Sequence, residues 1–494
     1  MPAMTTLKDT PSKSNPLPVL ATCGGCDCWC DDIKVQHPAV PSNQTQPPVF
    51  KNACLKGIRY LSNAWQKAEV QSADFAVHPP KDSWQQTNQK IAHRLLNAKR
   101  PLIFGLNQSS IQAQRFAIAI ADRCNAAIDI FQPNSGVAKT LAFQQTGEVA
   151  CSWGEVKNRA QVVIYWRCHP ETAPRFGERY GDLKSKDSDS YFLGNRRRKV
   201  FIVGDSHTID AWKIAHPDLN PEAGSNPEAD SNPEAGSNPE AGSALNSIST
   251  ICTQANDQTI FQTLLATQTG QLEPGHGLES IGSSPTQWMT LLSELQNAKF
   301  SAFVVGKLNS ISDSPTSLMP AYQSLSRLIM HQNKDQRCVS VPWPGNSENS
   351  VGAQAVMTWR TGYPFAVDFS QQFPRFDPLG NRWQSIIKRN AADYVLVIGS
   401  LPGIENSVDS KIAEAWSRIP TDQIGEPILN QNVTHFIAAD GFGYDHAALP
   451  ETVCRPDGVF VPVRLPKNPA IPNHTQVLTN LLSQIEDQKQ TQFG

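Results

Sequence analysis

Short, continuously apolar runs recur along the chain, and each is followed by a turn-rich loop and then by a stretch with helical spacing. Residues 101–106 read PLIFGL, followed by NQSS and then by IQAQRFAIAIADRC at 111–124. Similar runs follow later in the chain: QVVIYW at 161–166, KVFIVG at 199–204, SAFVVG at 301–306, DYVLVIG at 393–399 and THFIAA at 434–439. Such runs suit strands that are covered on both faces, and intervening helices make the strands parallel. The pattern predicts several doubly wound α/β domains built on parallel sheets.

The loops after these strands are the first places to look for a ligand, because open parallel sheets bind ligands beyond the carboxyl ends of their strands. The loops follow Gly105, Trp166, Gly204, Gly306 and Gly399. None of them carries a G-x-G-x-x-G sequence. The chain therefore lacks the signature of a nicotinamide dinucleotide site.

Two segments lack the apolar residues that a packed core needs. Residues 1–20 are polar and rich in proline, and residues 216–247 contain four NPEAGS-like hexapeptides at 220–243. We expect a disordered amino terminus and a flexible surface insertion, since neither composition offsets the entropy of ordering the chain. A solenoid repeat would need a large apolar side chain in each unit, and the hexapeptides offer only alanine.

Charge and composition narrow the choice of partners. The 494-residue chain has 43 Lys and Arg against 45 Asp and Glu and a net charge of -2, so it lacks the basic surface of a nucleic-acid binder. It has no apolar signal segment and no run long enough to cross a bilayer. We predict a cytoplasmic protein with no nucleic acid and no membrane as partner. Five of the 11 cysteines precede residue 55, which is typical of a metal site and not of a disulfide framework.

The cysteine-rich stretch CGGCDCWCDD at 23–32 carries the strongest chemical signal. Cys23, Cys26, Cys30 and Cys54 follow C-x2-C-x3-C-x23-C, and thiolates at such spacing can wrap a loop around one soft metal centre. An iron–sulfur cluster fits this spacing better than zinc, because zinc sites with four cysteines more often use two C-x2-C pairs. Structural zinc and a relic site without metal are the alternatives. Cys28 is a spare thiol or an alternative ligand.

The longer stretch CGGCDCWCDDIKV, with NACLKG at 52–57, resembles the amino-terminal iron–sulfur lobe of molybdopterin and tungstopterin oxidoreductases. The CDDI and ACLKG motifs are similar to the B subunit of formylmethanofuran dehydrogenase. Matching stretches follow at 154–180, 357–370 and 455–465, so the resemblance spans nearly the whole chain outside the repeat and the extreme amino terminus. It implies the α/β fold of formate dehydrogenase and dimethyl sulfoxide reductase, without the carboxy-terminal β-barrel domain.

The organisation expected from the pattern and the resemblance has five parts. They are a disordered amino terminus at 1–20, a cysteine-rich iron–sulfur-like lobe at 21–65, an α/β domain at 66–215, the repeat insertion at 216–247 and an α/β region at 248–494. The last region is expected to contribute to two domains, one of them discontinuous.

One departure from the family bears directly on its chemistry. In the dehydrogenase, the loop after the strand ending in Ile-Asp carries a cysteine followed by histidine and glycine, and that thiolate binds the molybdenum or tungsten at which formate and carbon dioxide interconvert. The alignment rests on Ile128, Asp129 and Gly136. It places Asn134 at the metal-ligand position and Ser135 at the histidine. An amide has neither the charge nor the softness of a thiolate, so we expect no molybdopterin or tungstopterin.

The surroundings of that position are altered as well. Shifting the alignment by one residue does not restore the ligand, because no cysteine lies between Cys124 and Cys151. His169 and Phe176 stand where the resemblance places an asparagine and a histidine. The chain is therefore expected to have lost its own redox activity.

This combination resembles the B subunit of the formyltransferase/hydrolase complex, the bacterial counterpart of the archaeal dehydrogenase. It implies a non-redox structural subunit, whose partner subunits move the formyl group of formyl-tetrahydromethanopterin to a methanofuran-like carrier and hydrolyse it to formate during formaldehyde oxidation. Two hypotheses stay open beside it: an active B subunit of formylmethanofuran dehydrogenase that holds its metal through another residue, and another oxidoreductase or iron–sulfur protein. Under the first interpretation, we expect Cys23, Cys26, Cys30 and Cys54 to hold a [4Fe–4S] cluster in a structural role.

Other polar residues give weaker signals. Asp31 and Asp32 are adjacent carboxylates, and we expect them in a cap or a solvated loop, because neighbours in sequence usually point in different directions. His169, His207 and His446 lie in loops at candidate strand ends. We expect each of them to be a hydrogen-bonded loop residue and not a catalytic base.

Two further motifs match those of the family. They are TGYP with Tyr363 and RPDG with Arg455 and Asp457, and these residues are expected to shape the old cofactor cleft or simply to pack. The G-x-S-x-G arrangement of a hydrolase nucleophile is absent. Hydrolysis by this chain itself is therefore not predicted.

Overall fold

We describe the protein from a computed structural model. The described residues are 19–36, 48–77, 82–181, 198–216, 247–273, 277–345, 348–399, 408–426, 433–441, 451–465 and 471–493. Residues 1–18 of the expected disordered terminus, the hexapeptides at 220–243 and His446 lie outside these ranges. No helix in the described ranges is long and apolar enough to span a membrane.

The strands of the described residues form four sheets. In chain order they are β1 (Val19–Cys23), β2 (Cys30–Gln36), β3 (Val49–Lys51), β4 (Pro101–Gly105), β5 (Ala127–Ile130), β6 (Val162–Trp166), β7 (Lys199–Gly204), β8 (Ser247–Cys252), β9 (Phe300–Val305), β10 (Arg337–Pro342), β11 (Val367–Asp368), β12 (Arg375–Phe376), β13 (Tyr394–Ile398), β14 (Thr421–Gly425), β15 (Val433–Ala438), β16 (Thr452–Cys454) and β17 (Phe460–Pro462). Two of the sheets are small and antiparallel, β1-β2-β3 and β16-β17.

The α-helices connect and cover these strands. They are α1 (Leu55–Val77), α2 (Trp84–Asn97), α3 (Ile111–Arg123), α4 (Asn134–Thr146), α5 (Trp153–Arg159), α6 (Ser206–Ala215), α7 (Asp257–Gln268), α8 (Pro285–Asn297), α9 (Pro315–Gln332), α10 (Ser350–Thr361), α11 (Trp383–Lys388), α12 (Ser410–Trp416) and α13 (His474–Phe493). Short 3-10 turns at Pro170–Thr172 and Leu278–Ile281 and a π-helical turn at Gly177–Gly181 add to them.

Capping side chains set the starts of several helices. Ser110 accepts a hydrogen bond from Ala113 N at the start of α3, which begins at the residue where the helical pattern of the sequence begins. Ser83 and Gln86 form a reciprocal capping box at the start of α2. These contacts satisfy N–H groups that have no partner within the helix.

The five-stranded sheet has the order β10-β9-β6-β7-β8, and every pairing in it is parallel. The apolar runs at 161–166, 199–204 and 301–306 become β6, β7 and β9. β6 and β7 are almost completely buried, as expected for strands that are covered on both faces.

The seven-stranded sheet has the order β12-β11-β5-β4-β13-β14-β15. Its strands β5, β4, β13, β14 and β15 pair in parallel, whereas β11 pairs antiparallel with both β5 and β12. The chain leaves this sheet after β5, builds the five-stranded sheet, and returns at β11. The two sheets thus confirm the predicted α/β class with parallel sheets.

The predicted domain boundaries do not coincide with the two large sheets, because one predicted range contributes strands to both. The insertion predicted at 216–247 falls between α6 and β8 and overlaps β8 at Ser247, the first residue of that strand. Strands β7 and β8 pair with each other along their length. The range predicted as one domain, 66–215, contains β4 and β5 of the seven-stranded sheet together with β6 and β7 of the five-stranded sheet. Partner strands lie far apart in the chain, which is why an apolar run alone does not reveal its sheet.

The cysteine-rich lobe, formed by β1–β3 and the start of α1, shares a core with the five-stranded sheet. Trp29, Ile33 and Phe50 of the lobe are buried together with Tyr165 of β6 and Val304 of β9. The lobe therefore gains its apolar burial from the sheet on which it packs, in addition to its own few apolar residues.

Candidate functional site

The cysteine motif forms a hairpin and the entrance to a helix. Cys23 ends β1, Cys30 begins β2, and these two residues are partners in the antiparallel register. The loop between them carries Cys26 and Cys28, and Cys54 directly precedes α1. The hairpin thus gathers cysteines that are spread over eight positions of the sequence, and the start of α1 supplies the later one.

Glycines and main-chain N–H groups surround two of the sulfur atoms. Gly25 N donates to Cys23 Sγ at 3.4 Å, and Gly57 N donates to Cys54 Sγ at 3.4 Å. A Cβ atom at Gly57 would lie 3.2 Å from Cys23 Sγ and 3.6 Å from Cys54 Sγ. Both sulfur atoms therefore lie beside the same glycine, and a side chain there would crowd the Cys23 thiol.

Cys28 belongs to the thiol group and is not an isolated spare residue. It is fully buried, and its thiol is hydrogen-bonded to the side chains of Cys26 and Cys30. These hydrogen bonds, more than burial, raise the pKa of Cys28 well above its usual value. The hydrogen bond from Cys28 and, against the effect of burial, the positive charges of Arg179 and Arg175 together lower the pKa of Cys30 to about 7.

The predicted ligands interact electrostatically, which shows that they lie near one another. Burial raises the pKa of Cys23 to about 12, and negative charge on Cys26, Cys30 and Cys54 acts in the same direction. Four thiols, two of which accept N–H···S hydrogen bonds, suit a soft metal centre. Within the described ranges, however, no group of three or more His, Cys, Asp or Glu side chains is arranged to hold a metal ion. The [4Fe–4S] cluster therefore stays a prediction.

Two acidic residues of β2 connect the lobe to arginines at the carboxyl side of the five-stranded sheet. Arg175 donates to Asp32 from both Nη atoms, at 2.9 and 2.7 Å. Arg179 donates to Asp31 at 2.8 Å and also to Asp32. The expectation of a cap or solvated loop for the two aspartates is wrong. Both lie in strand β2, and both are paired with arginines from a distant segment. Burial opposes ionisation of Asp32, but the Arg175 hydrogen bond and the Arg179 charge outweigh it and hold its pKa below the usual value.

Phe176 lies at the centre of an aromatic cluster of five residues. Its ring centroid is 4.6 Å from Trp343, 5.2 Å from Trp153, 5.6 Å from Tyr180 and 6.5 Å from Tyr165. All five residues belong to the core that the cysteine-rich lobe shares with the five-stranded sheet. The position at which the resemblance places a histidine is thus filled by apolar packing.

The Asn134 position lies elsewhere, at the first residue of α4 after β5. Asn134 is exposed, and its Nδ2 donates to the main-chain oxygen of Asp313 at 2.9 Å. Ser135 follows it and is half-buried. Of the cysteines that flank this segment in sequence, Cys124 is buried directly after α3, and Cys151 donates from Sγ to Ser152 O at 3.3 Å.

The loops at the carboxyl edge of the five-stranded sheet contact each other. Strand order reverses between β6 and β9, which is the usual ligand position in such sheets. A Cβ atom at Gly306 would lie only 2.0 Å from Arg167 O, so the two loops touch at this point. The Arg167 guanidinium is paired with the buried Asp257 at 2.8 Å. Asp257 also accepts from Trp166 Nε1 at 3.0 Å.

His169 is a hydrogen-bonded loop residue, as predicted, whereas the loop prediction for His207 is wrong, because His207 is the second residue of α6. His169 Nε2 lies 3.2 Å from Thr208 Oγ1, and His169 Nδ1 lies 3.3 Å from Glu171 Oε1. The His207 ring lies 5.2 Å from the His169 ring, and His207 is exposed. Thr208 is itself hydrogen-bonded to Asp205, which caps α6. These contacts stabilise the start of a helix.

The residues of the RPDG motif support the aromatic cluster. Asp457 accepts from Trp153 N at 2.8 Å, and Arg455 donates to Tyr180 Oη at 2.6 Å. Arg455 and Asp457 are also paired with each other at 3.2 Å. Tyr363, from the TGYP motif, packs instead against the core of the seven-stranded sheet.

Sequence reasoning missed Arg175, Arg179 and Glu348. The two arginines are spaced four residues apart in RFGERY, which places them on one face of a helical turn, but the acidic pair that they bind lies more than 140 residues away in the chain. Glu348 lies in the loop GNSENS, where the sequence carries no pattern. Its partners are Asp27 and residues 107–108, which are remote in the chain.

Sequence comparisons identify homologues over most of the chain. No protein-family model matches it. It is 25% identical over 413 residues to the B subunit of tungsten-containing formylmethanofuran dehydrogenase 2 from Methanococcus maripaludis, which covers 81% of this chain and 82% of that protein. The protein of the same description from Methanocaldococcus jannaschii is 26% identical over 414 residues, with 81% and 82% covered.

Solved structures share the fold. A chain in the X-ray crystal structure of the formyltransferase/hydrolase complex from Methylorubrum extorquens, in complex with methylofuran, superimposes with a TM-score of 0.60 and 16% identity. The match covers 83% of this chain and 98% of that one. Acetylene hydratase from Pelobacter acetylenicus superimposes with a TM-score of 0.52 and 10% identity, covering 95% of this chain and 69% of that one.

Proposed function

We propose that this chain, a homologue of the B subunit of formylmethanofuran dehydrogenase, is a non-redox structural subunit of a formyltransferase/hydrolase complex. Such a complex converts formyl-tetrahydromethanopterin and water to tetrahydromethanopterin and formate in formaldehyde oxidation. In this assignment the other subunits carry out formyl transfer and hydrolysis. The present chain contributes a stable α/β body on which they assemble.

The environment of Asn134 carries the proposal. A redox subunit of this family needs a thiolate on its metal at that position, whereas Asn134 is exposed and its amide donates to Asp313 O at 2.9 Å. An amide that is engaged in this way offers neither sulfur nor negative charge to molybdenum or tungsten. The observation therefore favours loss of the pterin-bound metal.

The aromatic cluster around Phe176 supports the same conclusion. Phe176 is 2% exposed and packs on Trp153 and Trp343. Conversion of a polar histidine position into the centre of such a cluster removes a hydrogen-bonding group and favours packing of the lobe on the sheet. The change is suited to a subunit selected for stability and assembly.

We propose further that Cys23, Cys26, Cys30 and Cys54 hold a [4Fe–4S] cluster in a structural role. When bound, its iron–thiolate bonds would tie the hairpin loop to the start of α1. The arginines beside Cys30, Arg175 and Arg179, would offset the negative charge of the thiolates. Because the lobe already packs into the shared core, loss of the cluster is expected to loosen the hairpin and not to unfold the sheets.

Iron analysis of anaerobically purified protein tests the cluster. We expect roughly four irons per chain and broad absorbance near about 400 nm. Cys23→Ser should lower both, whereas Cys252→Ser, at an exposed cysteine outside the lobe, should change neither. Absence of iron in the wild-type protein, with unchanged stability of Cys23→Ser, would make the motif a relic.

An active dehydrogenase subunit is the second candidate, because both sequence relatives are tungsten-containing enzymes. Asn134→Ala in the assembled complex separates the two functions. For a structural subunit we expect unchanged formate production from formyl-tetrahydromethanopterin and no dye-linked oxidation of formate in either protein. Loss of formate production in Asn134→Ala, with the complex still assembled, would show that this loop takes part in the chemistry.

A further inference from the structure

The carboxyl edge of the seven-stranded sheet is the second place where strand order reverses, between β4 and β13. Gly105, Gly399 and Gly425 adopt positive φ angles there, of 117°, 95° and 135°. A Cβ atom at Gly105 would lie 2.2 Å from Ile398 O, and one at Gly441 would lie 1.9 Å from Gln108 O. The strand ends therefore approach one another as closely as glycine permits. This packing fixes the loop that follows β4.

Glu348 joins this loop to the cysteine-rich lobe. Its carboxylate accepts hydrogen bonds from Asn107 Nδ2 and from Gln108 Nε2, the latter at 2.6 Å. Its main-chain N–H donates to Asp27 Oδ1 at 2.8 Å, and Asp27 lies between two cysteines of the lobe. Asn349 N donates to Asn107 O at 2.7 Å. Glu348, together with Asp27, thus links the loop of the sheet to the lobe.

The backbone at Glu348 is held in an uncommon conformation. Its φ angle is 52°, a region that non-glycine residues other than Asn and Asp seldom adopt. The surrounding hydrogen bonds must hold it there. Strain of this kind is consistent with a position that carries a function and does not merely connect two elements.

Burial and neighbouring negative charges oppose the ionisation of Glu348, and they outweigh two hydrogen bonds that favour it. Burial raises the pKa of Glu348 from 4.5 to about 7, and the negative charge of Asp27 and then of Glu426 acts in the same direction. Hydrogen bonds from Gln108 and Asn107 act against them. Tyr60 of α1 is close enough for the charge of Glu348 to act, after burial and Cys23, in raising the pKa of its hydroxyl.

The same partners can satisfy both protonation states. Ionised Glu348 accepts from two amide groups, whereas the protonated acid also carries an O–H donor. Asn107 Oδ1 is buried and has no hydrogen-bond partner among the residues that the structure describes. Rotation of the Asn107 amide would present this oxygen to the Glu348 O–H. The junction therefore has two arrangements that differ by one proton.

We propose that Glu348 is a protonation-operated latch that holds the cysteine-rich lobe on the carboxyl edge of the seven-stranded sheet. Protonated Glu348 closes the junction with a neutral hydrogen-bond network. Ionised Glu348 adds a half-buried negative charge beside Asp27 and Glu426 and weakens the docking of the lobe. The proposal does not depend on the function assigned to the complex.

Hydrogen–deuterium exchange of the 19–36 segment in the full-length chain tests the latch, with rates corrected for the intrinsic effect of pH. An opened lobe exposes Glu348 and restores its ordinary pKa, so the closed form binds more protons than the open form between about pH 4.5 and about pH 7. Protection should fall by up to about tenfold per pH unit as pH rises through this window. Glu348 itself should contribute no further change above about pH 7.

Two variants make the test specific. Glu348→Gln imitates the protonated acid, and its protection should not change across the window. Glu426→Gln changes an exposed residue and removes a facing charge, so the fall should end at a lower pH than in the wild type. A flat wild-type profile, or a wild-type slope that persists in Glu348→Gln, would overturn the latch. If Glu348→Gln does not fold, the latch would be overturned by a pH profile of protection in Glu426→Gln that is identical to that of the wild type.

Discussion

The hairpin of the cysteine-rich lobe and the loop at the start of α4 are the two regions that the resemblance assigns to redox chemistry, and they differ in how far they are built into the fold. In the lobe, the four predicted ligands remain, and Cys23, Cys26 and Cys30 are buried in a core shared with the five-stranded sheet. At the start of α4, the metal position is an exposed asparagine bonded to the main chain. Under the proposed function, the region that contributes to packing is retained, and the region that contributed only redox chemistry is lost.

The largest effect is expected where the lobe meets the sheet. Phe176→Ala removes the centre of the aromatic cluster, and we expect it to lower the free energy of unfolding by about 3 to 5 kcal/mol, since it leaves a cavity in a packed core. Urea unfolding followed by tryptophan fluorescence measures the change. Phe373→Ala is the matched control, because Phe373 is 57% exposed.

The control should change stability by less than about 0.5 kcal/mol. If Phe176→Ala were as mild as Phe373→Ala, the lobe would not depend on the shared core. The contrast between the two regions would then need another explanation than packing.

A smaller effect is expected from the ion pairs of β2. Asp32→Asn weakens the contacts with Arg175 and Arg179, and we expect a loss of about 1 kcal/mol near neutral pH, because the Asp32 side chain is 39% exposed and solvent screens the pair. The pKa of Asp32 is lower in the folded protein than in the unfolded chain. The stabilisation is therefore present above about pH 4, the usual carboxyl value, and is lost as pH falls through the lower folded value.

Thermal unfolding at a series of pH values checks this sign. The difference between wild type and Asp32→Asn should shrink in acid, whereas Asp210→Asn, at a 63% exposed partner of Lys213, should differ little from wild type throughout. A difference that grew as the pH fell would show that the aspartate is not stabilised by the arginines.

The smallest effect is expected in the loop at the start of α4. Asn134→Ala removes one hydrogen bond at an exposed helix start, so we expect a change in stability within about 0.5 kcal/mol. Urea unfolding of Asn134→Ala and Phe176→Ala under the same conditions compares the two losses in free energy of unfolding directly. A loss comparable with that of Phe176→Ala would mean that the loop has kept a structural task.

The sequence predicts some elements of this fold well and others poorly, for physical reasons. β6 and β7 could be located because strands covered on both faces must be apolar throughout. The sheet to which a strand belongs could not be predicted, because pairing joins segments that are as distant in the chain as β4 and β13. The site shows the same limit. The cysteine spacing is local and was visible, whereas the bonds of Arg175 to Asp32 and of Glu348 to Asn107 join residues that only the fold brings together.

Metal analysis of the purified complex by mass spectrometry tests the assignment most directly. A structural subunit whose metal-binding thiolate has been replaced by Asn134 should contain neither tungsten nor molybdenum. Any iron present should be removed by Cys23→Ser and not by Asn134→Ala. Stoichiometric tungsten or molybdenum in the wild-type complex would contradict the non-redox assignment and would identify the chain as an active dehydrogenase subunit.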